Sequence, residues 1–217
     1  MKNGQASQRS LERIWAQVPP DYYFNLNILQ TVWHTRKWQV IYKLLSRQAI
    51  KPRRILEIGC SAGHLTNLLN TTYPRSKIIG IDVYEPAIQE AERRFPDVKF
   101  IMADAHALPF RSRMFDLVVC SETIEHVLNP KKVLQEMMRV LTPRGHSLIE
   151  MDSGSILFRS VWYVWTTFGK GTVWKGAHLH PFKAKELEAL IIAQGYTIKQ
   201  KVSSHLGMAV TFLTARQ

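Results

Sequence analysis

Between Arg54 and Met151, short apolar runs alternate with longer amphipathic stretches, and this alternation constrains the fold more than any other feature. RILEIG (54–59), SKIIGID (76–82), VKFIMAD (98–104), FDLVVCS (115–121) and HSLIEM (146–151) have strand composition. HLTNLLNTTY (64–73), EPAIQEAERRF (85–95) and NPKKVLQEMMRVL (129–141) lie between them and read as helices. Pro86 and Pro130 fall in first turns, where a missing N–H costs no helical hydrogen bond. Strands alternating with helices predict a doubly wound, mostly parallel α/β sheet. AKELEALIIAQG (184–195) reads as another helix, ended by Gly195. YTIKQKV (196–202) and HLGMAVTFLTA (205–215) read as two strands joined at Ser203–Ser204. The expectation is a seven-stranded sheet with a C-terminal antiparallel hairpin.

Upstream, Leu26, Leu29, Trp33, Trp38, Ile41, Tyr42 and Leu45 approach helical spacing over residues 22–49. Residues 1–50 are therefore expected to form an N-terminal helical lid or extension, with residues 1–10 disordered. Residues 51–217 make the main domain, which includes an aromatic insertion at about 155–180. A chain of 217 residues suits one core.

No apolar run reaches the roughly 18 residues of a membrane-spanning helix, and the polar N-terminus lacks a signal-peptide core. The two cysteines, Cys60 and Cys120, make neither a disulfide framework nor a four-ligand zinc set. A cytoplasmic protein is expected. Its formal charge of +12 favours an anionic partner, either nucleic acid, anionic lipid or an acidic substrate. A solvated basic surface is the competing reading.

The pentapeptide GCSAG, Gly59 to Gly63, fits two templates. As G-x-S-x-G it is a nucleophile elbow with Ser61 attacking, and Asp152 with His180 or His205 completing the order of a hydrolase triad. As a small-residue loop after a strand it is a nucleotide cradle. An elbow follows several strands and an oxyanion segment, whereas only helix and one strand precede Ser61, so the cradle is preferred. Acidic groups then converge on one rim, the carboxyl ends of the strands, where α/β sheets bind ligands. Glu57 closes the first strand, Asp82 the second, Asp104 the third, and Ser121 with Glu122 the fourth. Asp82 lies 23 residues beyond Gly59, near the roughly 20-residue gap to an acid that binds ribose hydroxyls. Asp104 suits an adenine amino group. Glu57 would repel a diphosphate and attract an ammonium. Adenosine at one end and a cationic amino acid at the other describe S-adenosylmethionine.

LEIGCSAG, GIDVYEPAI, MADAHALPF, FDLVVCSETIEHV and LTPRGHSLIEM, in that order over residues 53–151, resemble the class I S-adenosylmethionine-dependent methyltransferases. Within that class they are most similar to the small-molecule and lipid branch with ubiquinone-biosynthesis-type enzymes. The resemblance implies a Rossmann-like methyltransferase fold, with S-adenosyl-L-methionine as cofactor and S-adenosyl-L-homocysteine as product. It implies cofactor contacts from Glu57, Gly59, Cys60, Ser61, Gly63, Asp82, Val83, Asp104, Ala105 and Ser121. Arg36 is a candidate for the methionine carboxylate, because a guanidinium meets carboxylates in bidentate fashion. His126 and Glu122, spaced four residues apart as on one helical face, are the catalytic candidates. His178, His180, Trp174 and Phe182 are the candidates for lining a substrate pocket. The two histidines have metal-like spacing without a nearby acid, and no metal is expected.

SETIEHV stands where related amino-methylating enzymes carry DPPY or NPPY, which speaks against a nucleic-acid base as acceptor. Residues 155–176 hold Phe158, Trp162, Tyr163, Trp165 and Trp174 with Arg159, Lys170 and Lys175. They suit a lid over a hydrophobic acceptor or an interfacial helix at a membrane surface. The expected activity is methyl transfer to a small, hydrophobic or lipid-like acceptor. An RNA-modifying methyltransferase and a non-catalytic cofactor-binding subunit are the alternatives, and the oligomeric state stays open.

Overall fold

The computed structural model describes residues 15–20, 22, 25, 27–169 and 171–216. The disorder expected for residues 1–10 lies outside them, as do Leu26 and Lys170. Along the chain run α1 (Ile28–Arg47), β1 (Arg54–Ile58), α2 (His64–Thr72), β2 (Lys77–Asp82), α3 (Glu85–Arg94), β3 (Lys99–Met102), β4 (Phe115–Ser121) and α4 (Pro130–Val140). They are followed by β5 (Leu141–Asp152), α5 (Ile156–Phe168), α6 (Ala184–Ala193), β6 (Tyr196–Ser204) and β7 (Ala209–Arg216). The sheet has seven strands in the order β3-β2-β1-β4-β5-β7-β6. β1 to β5 are parallel, and β7 is antiparallel to both β5 and β6. The expected doubly wound, mostly parallel sheet with antiparallel C-terminal strands is the observed one.

The two-residue period of the strands divides the core between the faces. On one face Ile55, Leu117, Val119, Leu148 and Leu213 meet Ile41, Leu44 and Leu45 of α1 and Leu65 and Leu69 of α2. On the other, Leu56, Ile58, Val118, Cys120, Ile149 and Phe212 meet Val133, Leu134 and Met137 of α4 and Leu187 and Ile191 of α6. Both cysteines are free and buried. Helix α1 is thus part of the core on the first face. It starts at Ile28, later than the sequence pattern, where a capping box fixes the end. Asn27 accepts from the Gln30 N–H at 3.0 Å, and the Gln30 side chain accepts from the Asn27 N–H at 3.1 Å.

Three local expectations change. β5 begins at Leu141, five residues before the predicted run, and carries Pro143 through a register shift opposite Phe115 and Leu117. A proline is tolerated there because a bulge needs no ladder N–H. The turn of the C-terminal hairpin is not Ser203–Ser204, which both belong to β6, but a 3₁₀ turn at His205–Gly207. Residues 122–126 form turns, not a helix, so the proposed helical pairing of Glu122 with His126 does not occur.

Candidate active site at the carboxyl rim of the sheet

Strand order reverses between β1 and β4, and the loops after those strands open into a cavity of about 520 Å³. This is the topological position where α/β sheets take their ligands, and the size is that of a small-molecule site. The loop after β1 is built by positive backbone angles: φ is +74° at Gly59, +46° at Ser61 and +84° at Gly63. A Cβ at Gly59 would meet Thr123 Oγ1 at 2.0 Å, and one at Gly63 would meet Phe100 Cζ at 2.6 Å. Backbone at these two points therefore lies where a side chain cannot.

Asp82 at the end of β2 anchors this loop. One carboxylate oxygen accepts from the Ser61 N–H and the other from the Tyr84 N–H, each at 2.9 Å. Burial pushes the Asp82 carboxyl up, and the backbone donors Tyr84, Ser61 and Val83 oppose it. Each oxygen keeps a lone pair for a further donor. Glu57 is buried against the Thr66 hydroxyl, which donates to it at 2.5 Å, and burial pushes its carboxyl up to about 8. Across the cavity, Asp104 Oδ1 accepts from the His106 N–H at 2.8 Å and contacts His106 Nδ1 at 2.6 Å. His106 Nε2 in turn accepts from the Asn129 N–H at 3.0 Å, which places the ring proton on Nδ1. Asp104 lines the cavity together with Ala105 and Val83.

The other end of the cavity holds a charge cluster that the sequence did not reveal. Lys37 Nζ lies 2.6 Å from Glu122 Oε1, 2.8 Å from Asp152 Oδ1 and 3.2 Å from Glu150 Oε1. His34 Nδ1 lies 3.2 Å from Glu122 Oε2. Burial opposes the charge on Lys37, but Asp152, Glu122 and Glu150 outweigh it and hold the ammonium ionised. Burial also opposes ionisation of Glu122, yet Lys37 and His34 keep its carboxyl below the usual range. Burial prevails at Glu150 and Asp152, whose carboxyls are raised. His126 is buried, its Nδ1–H donates to the Ala177 carbonyl at 2.8 Å, and burial favours the neutral ring.

Of the predicted contacts, Glu57, Gly59, Cys60, Ser61, Asp82, Val83, Asp104, Ala105, Ser121, Glu122, His126 and Trp174 line the cavity. Gly63 stands directly behind the lining, as the N-cap of α2. Arg36 is exposed on α1 and outside the lining, whereas His34 belongs to the lining and Lys37 is buried beside Glu122. His178 lies one layer back, stacked on Trp162 at 4.2 Å between ring centroids. The His180 N–H donates to the Glu125 carbonyl at 3.0 Å, and Phe182 packs on the main core. Sequence reasoning missed Lys37, His34 and Thr123; the i, i+3 spacing of His34 and Lys37 was the available signal. The hydrolase triad is not assembled: Asp152 is tied to Lys37, and His205 Nε2 lies 3.0 Å from the Trp33 carbonyl oxygen.

The seven-stranded sheet of this order, with a glycine loop after β1 and an acid ending β2, is a doubly wound α/β architecture with its cavity at the carboxyl rim. Residues 56–149 match the family described as "Methyltransferase domain". A demethylmenaquinone methyltransferase of Thermotoga maritima is 30% identical over 121 residues, which cover 56% of this chain and 50% of that protein. A probable S-adenosylmethionine-dependent methyltransferase of Mycolicibacterium smegmatis is 26% identical over 181 residues, covering 83% of this chain and 66% of the relative. The chain thus spans about half to two thirds of the length of these relatives. The crystal structure of a SAM-dependent methyltransferase from Aquifex aeolicus superposes with a TM-score of 0.63 at 16% identity, over 80% of this chain and 87% of that one, and shares the fold.

Proposed function

We propose that this protein transfers a methyl group from S-adenosylmethionine to a small, hydrophobic or lipid-like acceptor. The observation that carries the reading is Asp82, whose two oxygens brace the glycine loop and the start of α3 while keeping acceptor capacity at the cavity wall. The residues present fit the cofactor: Asp82 suits the two ribose hydroxyls, Asp104 and Ala105 the adenine edge, and the Gly59–Gly63 backbone the methionine portion. When bound, the cofactor supplies a methyl group already activated by the sulfonium charge. The protein's task is to orient the acceptor and exclude water, which in well-aligned cases lowers a barrier by about 7–11 kcal/mol. Trp15 and Trp174, whose rings meet edge to face at 5.7 Å, close the acceptor end. Helix α1 contributes His34 and Trp38 to the cavity wall.

Helix α5 supports a hydrophobic acceptor and a membrane-facing role. Its inner face sets Phe158 and Trp162 against His178. Its outer face exposes Ile156, Leu157, Val161, Tyr163, Val164 and Phe168, with Ile156 at 85% and Phe168 at 79%. Arg159 stands exposed on the same helix. Apolar groups at the acyl boundary with a cation at headgroup level describe an interfacial helix. Among the described residues no helix is long and apolar enough to cross a membrane, so such contact would be peripheral. One relative is a demethylmenaquinone methyltransferase, a name in keeping with this acceptor class.

The test is labelled-methyl transfer from S-adenosylmethionine into a crude extract, followed by partition. Label in the lipid fraction supports the reading. Label in RNA replaces it with the RNA-modifying one that the +12 charge suggests. Cofactor binding without any transfer points to a non-catalytic subunit.

A further inference from the structure

We infer that Glu125, His126 and His178 form a binding site for a divalent transition-metal ion at the acceptor end of the cavity. Each residue offers one ligand atom, and the three atoms lie within 4.8 Å of one another. Ligands about 2.1 Å from a tetrahedral ion stand about 3.4 Å apart, so closure on an ion draws the three side chains together by about an ångström. Two imidazoles and a carboxylate suit zinc, manganese or iron better than magnesium or calcium, and leave coordination positions open.

Glu125 gives an independent reason. It is 3% exposed, and neither carboxyl oxygen meets a hydrogen-bond partner among the described residues. Buried carboxyls without partners are rare because desolvation is left uncompensated. Asp152, Glu150 and Glu122 repel a charge on Glu125. Lys37 is the opposing charge of that cluster, and its ammonium is already shared among those three acids. A cation at Glu125 would supply the missing partner.

The histidines are prepared as ligands. His126 Nδ1 lies 2.8 Å from the Ala177 carbonyl; donating its proton there leaves the Nε2 lone pair available, the usual outer-layer arrangement of a ligating histidine. His178 is held by stacking on Trp162, with 16° between the planes. Glu125 is the acid that the His178 and His180 spacing lacked in the sequence. His126 also lines the cavity, so an open coordination position there would face an oxygen of the acceptor. In that arrangement His126 is a ligand and not a general base. The link to an acceptor rests on the methyltransferase reading; the metal site itself does not.

The full-length protein, treated with chelator and then desalted, is titrated calorimetrically with Zn²⁺ and with Mn²⁺, and in parallel with S-adenosylhomocysteine. One equivalent of either ion should bind the wild type. Glu125→Gln and His178→Ala should each weaken binding at least about tenfold, with circular dichroism melts showing that the variants fold. If Glu125→Gln does not fold, the half-buried His178→Ala decides. No binding to the wild type, or unchanged affinity in His178→Ala, overturns the metal site. Metal binding without S-adenosylhomocysteine binding keeps the metal site and removes the methyltransferase reading; the opposite pattern removes the metal site alone.

Discussion

Lys37 of α1 and Asp152 at the end of β5, separated by 115 positions in the chain, meet at 2.8 Å with the lysine 1% exposed. Glu122 and Glu150 complete the cage around the same ammonium. Removing one partner of a buried ion pair leaves uncompensated charge and costs about 3–5 kcal/mol. Lys37→Met should therefore lower stability to urea by about that amount, while Arg36→Met on the exposed side of the same helix should change it by less than about 0.5 kcal/mol. Equal effects of the two substitutions would contradict the cage.

Glu57 gives a pH dependence. Its carboxyl is pushed up to about 8 by burial, so below that pH it carries a proton in the free protein. The ionised form is the one that attracts the cofactor's ammonium, so binding below about pH 8 must expel the proton. Affinity for S-adenosylhomocysteine should rise with pH between 6 and 8, approaching about tenfold per unit, and then level off. Glu57→Gln should flatten the profile. A flat profile in the wild type would remove Glu57 from ammonium recognition.

Gly63 combines φ of +84° with Phe100 Cζ only 2.6 Å from where a Cβ would stand. Left-handed strain and overpacking each cost about 1–3 kcal/mol. Gly63→Ala should lower stability by about 2 kcal/mol or more in chemical denaturation. Gly195 also has positive φ, at +84°, but a Cβ there would meet nothing within 4 Å; Gly195→Ala should cost less.

Helix α5 predicts vesicle binding. Co-sedimentation with vesicles containing anionic lipid should be strong for the wild type and lost for the Ile156→Asp, Phe168→Asp double variant, whose changes fall on exposed positions. Equal sedimentation of both proteins would exclude α5 as the contact.

Much of this architecture was legible because the strands are short, apolar and separated by capped helices. β4, at Phe115–Ser121, has the predicted bounds, since Asp116 accepts from the Arg53 and Arg54 N–H groups at its start and the Ser121 hydroxyl donates to Glu150 at its end. The turn of the loop after β1 was equally visible, because adjacent chain positions set the φ angles of Gly59 and Gly63. What sequence could not show were contacts closed by the tertiary fold. Lys37 reads as one more cation in TVWHTRKW, and only the packing of α1 turns it inward in place of Arg36. Glu122 and His126 share helical spacing, but the chain turns at Thr123, where a hydroxyl donating to the Ser121 carbonyl at 2.8 Å competes with a helix.

The central claim is tested most directly by calorimetric titration of S-adenosylhomocysteine into the wild type and Asp82→Ala. Losing charge-assisted bonds at this partly buried carboxylate costs about 1.5–3 kcal/mol, so the account predicts saturable binding to the wild type that weakens at least about tenfold in the variant. No heat with the wild type, or equal affinity of the two folded proteins, would contradict it.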